Sequence, residues 1–170
     1  FAGLGVAIQL IKEGNKDFII FERASEVGGT WRDNIYPGCA CDIPSHLYSF
    51  SFEMNPNWSR AYSGQPEILQ YIINVKNKHK LDTQIQYNSN IVELKFDEEN
   101  SCWRLLDKNG NRITTRTVIL AIGPLNVPKI PTFKGIDHFK GIHFHSSEWD
   151  ASIELKDKKV IVIGTGASAI

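Results

Sequence analysis

Leu4, Ala7, Ile8 and Ile11 recur at i, i+3, i+4 and i+7, which predicts a helix over residues 1–13 with one apolar face. Gly14-Asn15 should end it, because both residues tolerate the left-handed backbone of a helix C-terminus. Phe18-Ile19-Ile20-Phe21 then form a continuous apolar run closed by Glu22. Aromatic and β-branched runs of this length suit a buried parallel strand. Helix followed by strand at this spacing reads as the second half of a βαβ unit, whose first strand would lie ahead of Phe1. Residues 28–66 show neither period and are rich in Gly, Pro, Ser, Asn and aromatics. A stretch this long is uncommon in a compact domain unless it serves a site. Pro66-Glu67 opens a second helix with Ile68, Tyr71, Ile72 and Val75 as its buried stripe. Residues 83–87, 91–96, 102–106 and 113–122 read as strands, with Asn109-Gly110 as the turn between the last two. Pro124, Pro128 and Pro131 favour an extended linker over residues 123–138. Residues 158–163 read as a short buried strand running into Gly164-Thr165-Gly166.

Composition narrows the classes. The 170 residues are 42% hydrophobic, enough for a core, and 19 basic residues balance 19 acidic ones. Zero net charge lacks the electrostatic footprint of a nucleic-acid binder. No apolar run approaches the roughly 20 residues of a membrane span. Three cysteines, Cys39, Cys41 and Cys102, are too few for a disulfide scaffold and fit a reducing, cytoplasmic setting. The chain begins at Phe1 rather than Met and stops at Ile170 within an opening element. It is therefore expected to be an internal segment, whose targeting signal, if any, would be lost.

Two glycine motifs carry the chemistry. The later one, Val160-Ile161-Val162-Ile163-Gly164-Thr165-Gly166-Ala167-Ser168-Ala169, is an apolar strand followed by G-x-G-x-x-A. Gly164 permits the tight turn, Gly166 lets backbone approach a pyrophosphate, and Ala169 permits close packing of the next helix. The earlier one is half present. If Gly3 is the third glycine of such a motif, Glu22 stands where an acid holds the ribose hydroxyls of an adenine nucleotide. The alternative is that Glu22 only solvates a strand end. Gly28-Gly29-Thr30-Trp31 offers backbone N–H groups to a phosphate or ring, with Trp31 as an apolar wall. Its plainer reading is a glycine turn with a core tryptophan.

Taken with Tyr36-Pro37-Gly38, Cys41-Asp42, Tyr48-Ser49-Phe50, Gln65-Pro66-Glu67-Ile68 and Ala121-Ile122-Gly123, these residues resemble the class B flavoprotein monooxygenases. The resemblance spans essentially the whole chain and is nearest to the Baeyer–Villiger monooxygenases. Its most specific element is Phe139-x-Gly141-x-x-x-His145-x-x-x-Trp149-Asp150, similar to the fingerprint FxGxxxHxxxW followed by Pro or Asp. The flavin-containing N/S-monooxygenases usually carry Tyr or Phe in place of Trp149. The resemblance implies that Gly3, Glu22, Gly29, Thr30 and Trp31 hold FAD. It places Asp42 and Tyr48 beside the flavin, Ile91 at the adenine and Gly123 at the end of the FAD domain. His145 and Trp149 would sit in an interdomain linker, and Gly164, Gly166 and Ser168 would cradle NADPH. Asp42 and His145 are given supporting roles, with no nucleophile in this segment. The departures are the missing first two glycines, Ile122 where the family has Thr, and an active-site arginine that would lie past residue 170.

The expected fold class is α/β. A Rossmann-like FAD-binding domain lacking its first strand would carry a small β insertion, followed by the first strand of a second Rossmann-like NADPH domain. The expected boundaries are 1–125 for the partial FAD domain, 126–157 for the linker and 158–170 for the start of the NADPH domain. The parent is expected to use NADPH, FAD and O2 to insert one oxygen atom into a ketone through a C4a-peroxyflavin, with a small-molecule substrate and neither nucleic acid nor membrane as partner. The alternatives are oxidation of soft N or S atoms, or a truncated remnant that binds no cofactor. A flavin disulfide reductase would need a redox cysteine close after Gly28-Gly29-Thr30, where Trp31 stands. The C-x-C spacing of Cys39 and Cys41 suits neither a functional disulfide nor zinc, so no metal is expected.

Overall fold

The computed structural model describes residues 1–169, which divide into two compact units. The first comprises Phe1–Val27 and Ile72–Pro124, the second Gly28–Tyr71 and Leu125–Ile170.

In the first unit, α1 (Ala2–Lys12) buries Leu4, Ala7 and Ile8 of the predicted face and leaves Ile11 half-buried. Its end is a Schellman motif. Gly14 N–H bonds Ile11 O at 3.0 Å and Asn15 N–H bonds Leu10 O at 2.9 Å, with Gly14 at φ +80°. The apolar run after it yields only a short strand, β1 (Ile20–Phe21), paired parallel to β2 (Ile85–Gln86). Ladder bonds require a neighbour along the whole run, and β2 is two residues long. The pairing continues as isolated bonds from Glu22 N–H to Gln86 O and from Ser89 N–H to Glu22 O.

The β section is an antiparallel sheet of β3 (Ile91–Asp97), β4 (Cys102–Asp107) and β5 (Arg112–Thr115), in that order. Asp107 closes the β4–β5 hairpin. Its carboxylate accepts Asn109 N–H at 2.9 Å, Asn111 N–H at 2.8 Å and the Asn111 side-chain amide at 2.8 Å. Gly110 alone takes a positive φ, +88°, so the loop is a three-residue turn ending in a left-handed glycine. The fourth predicted strand stops at Thr115 rather than 122. β4 ends its pairing with β5 at Trp103↔Thr115, and Ile119, Leu120 and Ile122 are exposed.

Helix α3 (Gln65–Lys78) passes from the second unit into the first. Its stripe of Ile68, Tyr71, Ile72 and Val75 is buried as predicted, with Ile68 and Ile72 at 0% exposure. In the second unit the irregular stretch contains one short helix, α2 (Thr30–Asp33), and a 3-10 turn at Ser45–Leu47.

Residues 158–163 form no ladder among the described residues, and Val160, Ile161, Val162 and Ile163 are 54%, 82%, 65% and 67% exposed. A parallel strand exists through its neighbours, and none of the described strands lies beside this run. Ala167–Ala169 is a single 3-10 turn.

Candidate functional site

The second unit gathers several of the predicted residues. Gly28 and Gly29 reverse the chain at φ +130° and +55°. The two glycines do different work. A Cβ on Gly28 would stand 2.6 Å from Leu69 Cδ1 and 2.8 Å from Arg32 Cβ, whereas one on Gly29 would meet nothing within 4 Å. Gly28 is thus packed against its own fold, and Gly29 turns an open side outward.

The turn launches α2, which buries Trp31 at 8% exposure. The Trp31 indole N–H donates to Tyr48 Oη at 2.8 Å, and the two rings meet edge to face, centroids 5.5 Å apart. Tyr48 ends the Ser45–Leu47 turn, its N–H bonding Ser45 O at 3.0 Å. Burial pushes the Tyr48 phenol above its usual range, the indole bond opposes this, and charges on Cys41 and Asp42 add to the rise. Tyr48 therefore stays a neutral phenol at neutral pH. Trp31 and Tyr48 form one hydrogen-bonded pair, with Cys41 and the exposed Asp42 within electrostatic reach of the phenol.

Two buried serines hold the Tyr48 loop. Ser45 Oγ lies 2.8 Å from Ser63 Oγ and accepts Ser63 N–H at 2.9 Å, while Ser45 N–H bonds Ala61 O at 2.7 Å. Glu67 braces the same loop by accepting Ser59 N–H and Ser59 Oγ, each at 2.8 Å. Burial raises the Glu67 pKa, but the bonds from Ser59 and Ser63 and the Arg60 charge outweigh it, leaving the carboxyl below its ordinary range. Sequence reasoning did not single out Ser45 or Ser63. Isolated serines in a Ser-rich loop carry no pattern, and only the fold pairs them.

Cys39 and Cys41 are free thiols. Burial pushes both pKa values up. Redox-active cysteines show the opposite, a depressed pKa that exposes thiolate.

In the first unit, Gly3 lies in the first turn of α1 with its Cβ position 3.7 Å from Ala121 Cβ and 3.9 Å from Ile20 Cγ2. Helix and strand approach closely there. The Glu22 carboxylate accepts Ala24 N–H at 2.9 Å. The acid stands near the start of α1. Ile91 opens β3 half-buried, and Gly123 is exposed at φ +70°.

The later motifs lie in the second unit. The Phe139 ring folds over Gly141, whose Cβ would stand 2.4 Å from the ring tip. His145 Nδ1 accepts Ser147 N–H at 3.1 Å, which puts the neutral ring's proton on Nε2. Trp149 packs edge-on against Phe144 at 5.3 Å. Gly164 takes φ +153°, and its Cβ would stand 3.4 Å from Ala169 Cβ. Ser168 Oγ lies 2.8 Å from Tyr36 Oη. Ile170 falls outside the described residues. Among those described, no His, Cys, Asp or Glu group has the makings of a metal site, and no helix is long and apolar enough to cross a membrane.

A family model described as pyridine nucleotide-disulphide oxidoreductase matches residues 2–170. The chain belongs to that family. Within it, the chain is 50% identical to a Baeyer-Villiger monooxygenase of Pseudomonas aeruginosa, covering 100% of this chain and 32% of that protein. It is 48% identical to a Baeyer-Villiger monooxygenase of Streptomyces coelicolor, covering 100% and 33%. An oxidized steroid monooxygenase bound to NADP superposes with TM-score 0.86 at 36% identity, over 99% of this chain and 33% of that one. A cyclohexanone monooxygenase superposes with TM-score 0.89 at 30% identity, over 99% and 34%. The chain spans about a third of the length of these relatives. The resemblance read from its motifs is borne out, as is an α/β fold matching the FAD-binding domain of flavin monooxygenases.

Proposed function

We propose that this chain is the flavin-holding part of an FAD- and NADPH-dependent monooxygenase that inserts one atom of O2 into a ketone. The observation that carries this reading is the Gly28-Gly29 turn leading into a buried, hydrogen-bonded Trp31, where a disulfide reductase would need a redox cysteine. The protonated, separate thiols of Cys39 and Cys41 point the same way.

The residues present fit the flavin. Gly29 offers backbone with an open side, Trp31 and Tyr48 make a rigid aromatic wall, and Asp42 brings a carboxylate beside that wall. In this reading Gly3, Glu22, Ile91 and Gly123 serve the adenine end, with Glu22 accepting from ribose hydroxyls. Thr30 supplies its backbone at the α2 start. When bound, FAD and NADPH supply the redox chemistry that activates oxygen. The protein's part is to orient the reactants and exclude water. Trp31 and Tyr48 do both, because burial and mutual bonding fix them in place. Asp42 holds negative charge at the rim. Gly164, Gly166 and Ser168 begin the NADPH cradle. His145 and Trp149 lie in the linker, His145 presenting its Nε2 proton. The proposed boundaries are 1–125, 126–157 and 158–170.

The test is NADPH consumption by the natural protein with O2 uptake, against a cyclic ketone, a thioether and a disulfide. An ester or lactone from the ketone supports the proposal. A sulfoxide as the sole product would move the assignment to N/S oxidation. Disulfide reduction without oxygenated product would refute a monooxygenase.

A further inference from the structure

Helix α2 is one turn long, so its last carbonyls have no partner within the helix. Thr30 O is satisfied by Asn34 N–H at 3.0 Å and by the Asn34 side-chain amide at 2.9 Å. Trp31 O is satisfied from far along the chain, by the side-chain amide of Gln65. Gln65 is buried at 8% exposure, unusual for a glutamine at the first position of a helix. Its backbone N–H donates to Cys39 O at 2.9 Å, next to the Ala40↔Gly64 bridge and the Cys41 N–H to Ser63 O bond at 2.9 Å. One residue thus fastens both arms of the site loop to the start of α3. Its side chain holds the arm bearing Gly29 and Trp31, and its main chain holds the arm leading to Cys41 and Asp42.

We infer that Gln65 is a positioning residue for the flavin wall, acting through the Trp31 carbonyl to hold the Trp31–Tyr48 pair in register with Asp42. This rests on the flavin reading above and adds to it a residue that touches neither cofactor nor substrate. Without the amide, a buried carbonyl loses its donor and α2 loses a side-chain anchor from α3. The aromatic pair is then ordered only at the expense of bound flavin.

The test is a double-mutant cycle in the natural protein with Gln65→Met and Trp31→Phe, reading FAD dissociation by flavin fluorescence. Q65M keeps the length and the main-chain bond while removing the donor. It is expected to weaken FAD roughly tenfold with the flavin's visible circular dichroism altered. Trp31→Phe is expected to weaken FAD comparably, and the double variant to stay within about twofold of the worse single one, because both act on one element. Gln65→Glu, of the same shape, replaces Q65M if Q65M does not fold. A second arm needs no flavin: amide exchange at Arg32, Asp33, Asn34 and Cys41 should quicken in Q65M while that of α1 holds. Wild-type affinity for FAD in Q65M, or fully additive penalties, would overturn the inference. Quickened exchange in Q65M, where the wild-type protein itself binds no flavin, would instead uphold the anchor and sink the flavin reading.

Discussion

Replacing Gly28 and Gly29 by alanine, one at a time, should separate packing from ligand approach. Both glycines hold backbone that side chains resist, φ +130° and, at Gly29, φ +55° with ψ −125°. Each alanine therefore costs about 1–3 kcal/mol of backbone strain. At Gly28 the new methyl also lands 2.6 Å from Leu69 Cδ1 and 2.8 Å from Arg32 Cβ. Leu69 is a flexible tip, but Arg32 Cβ is fixed to the α2 backbone, so the turn itself must move. Overpacking of this kind adds about 1–3 kcal/mol. Gly28→Ala should thus cost about 2–6 kcal/mol in denaturant unfolding of the flavin-free protein. Gly29→Ala should cost only the strain, because its methyl meets open space. Flavin binding reverses the order of interest. On the proposed function the open side of Gly29 is where backbone approaches FAD, so Gly29→Ala should lose flavin out of proportion to its stability. The assay is paired: unfolding free energy without flavin, and FAD dissociation on the folded protein. Equal stability losses for the two variants would refute the packing argument. Undiminished flavin affinity in a folded Gly29→Ala would refute the ligand argument.

Truncating Ile68 or Ile72 to alanine, each at 0% exposure, should cost about 2–5 kcal/mol in the same unfolding assay. Trp31→Phe keeps an aromatic wall but removes the donor to Tyr48, and should cost about 1 kcal/mol of stability and raise the Tyr48 pKa further, because that bond lowers it. A pH titration of tyrosine absorbance reads it. Glu67 and Asp107 both have folded pKa values below the ordinary carboxylate range. Their contribution to stability is present above the unfolded pKa, near 4, and is lost as pH falls through the folded values. Acid unfolding should therefore begin at higher pH in Glu67→Gln and Asp107→Asn, which are expected to lose stability at neutral pH and flatten its dependence below about pH 4.

The sequence alone determined the two long helices, α1 and α3, but not the one-turn α2. Spacing at i, i+3, i+4 and i+7 marked α1 and α3; α3 buries its whole stripe and α1 all of its stripe but Ile11, and both form because a helix needs only its own residues to close its bonds. The Gly14-Asn15 stop was legible for the same reason: the cap is local. The glycine motifs and the Phe139–Asp150 pattern were legible as residue types at fixed spacing. Strand extents were not. Residues 18–22, 113–122 and 158–163 share the same apolar character, yet their ladders are two residues, four residues and none. A strand is completed by a neighbour, and composition does not say how far that neighbour runs. Tertiary structure alone also set Trp31 against Tyr48, Ser45 against Ser63 and Gln65 under Trp31. These partners lie 17, 18 and 34 positions apart in loops without a period. Only the folded path brings a buried polar group to the one partner that spares it the loss of water.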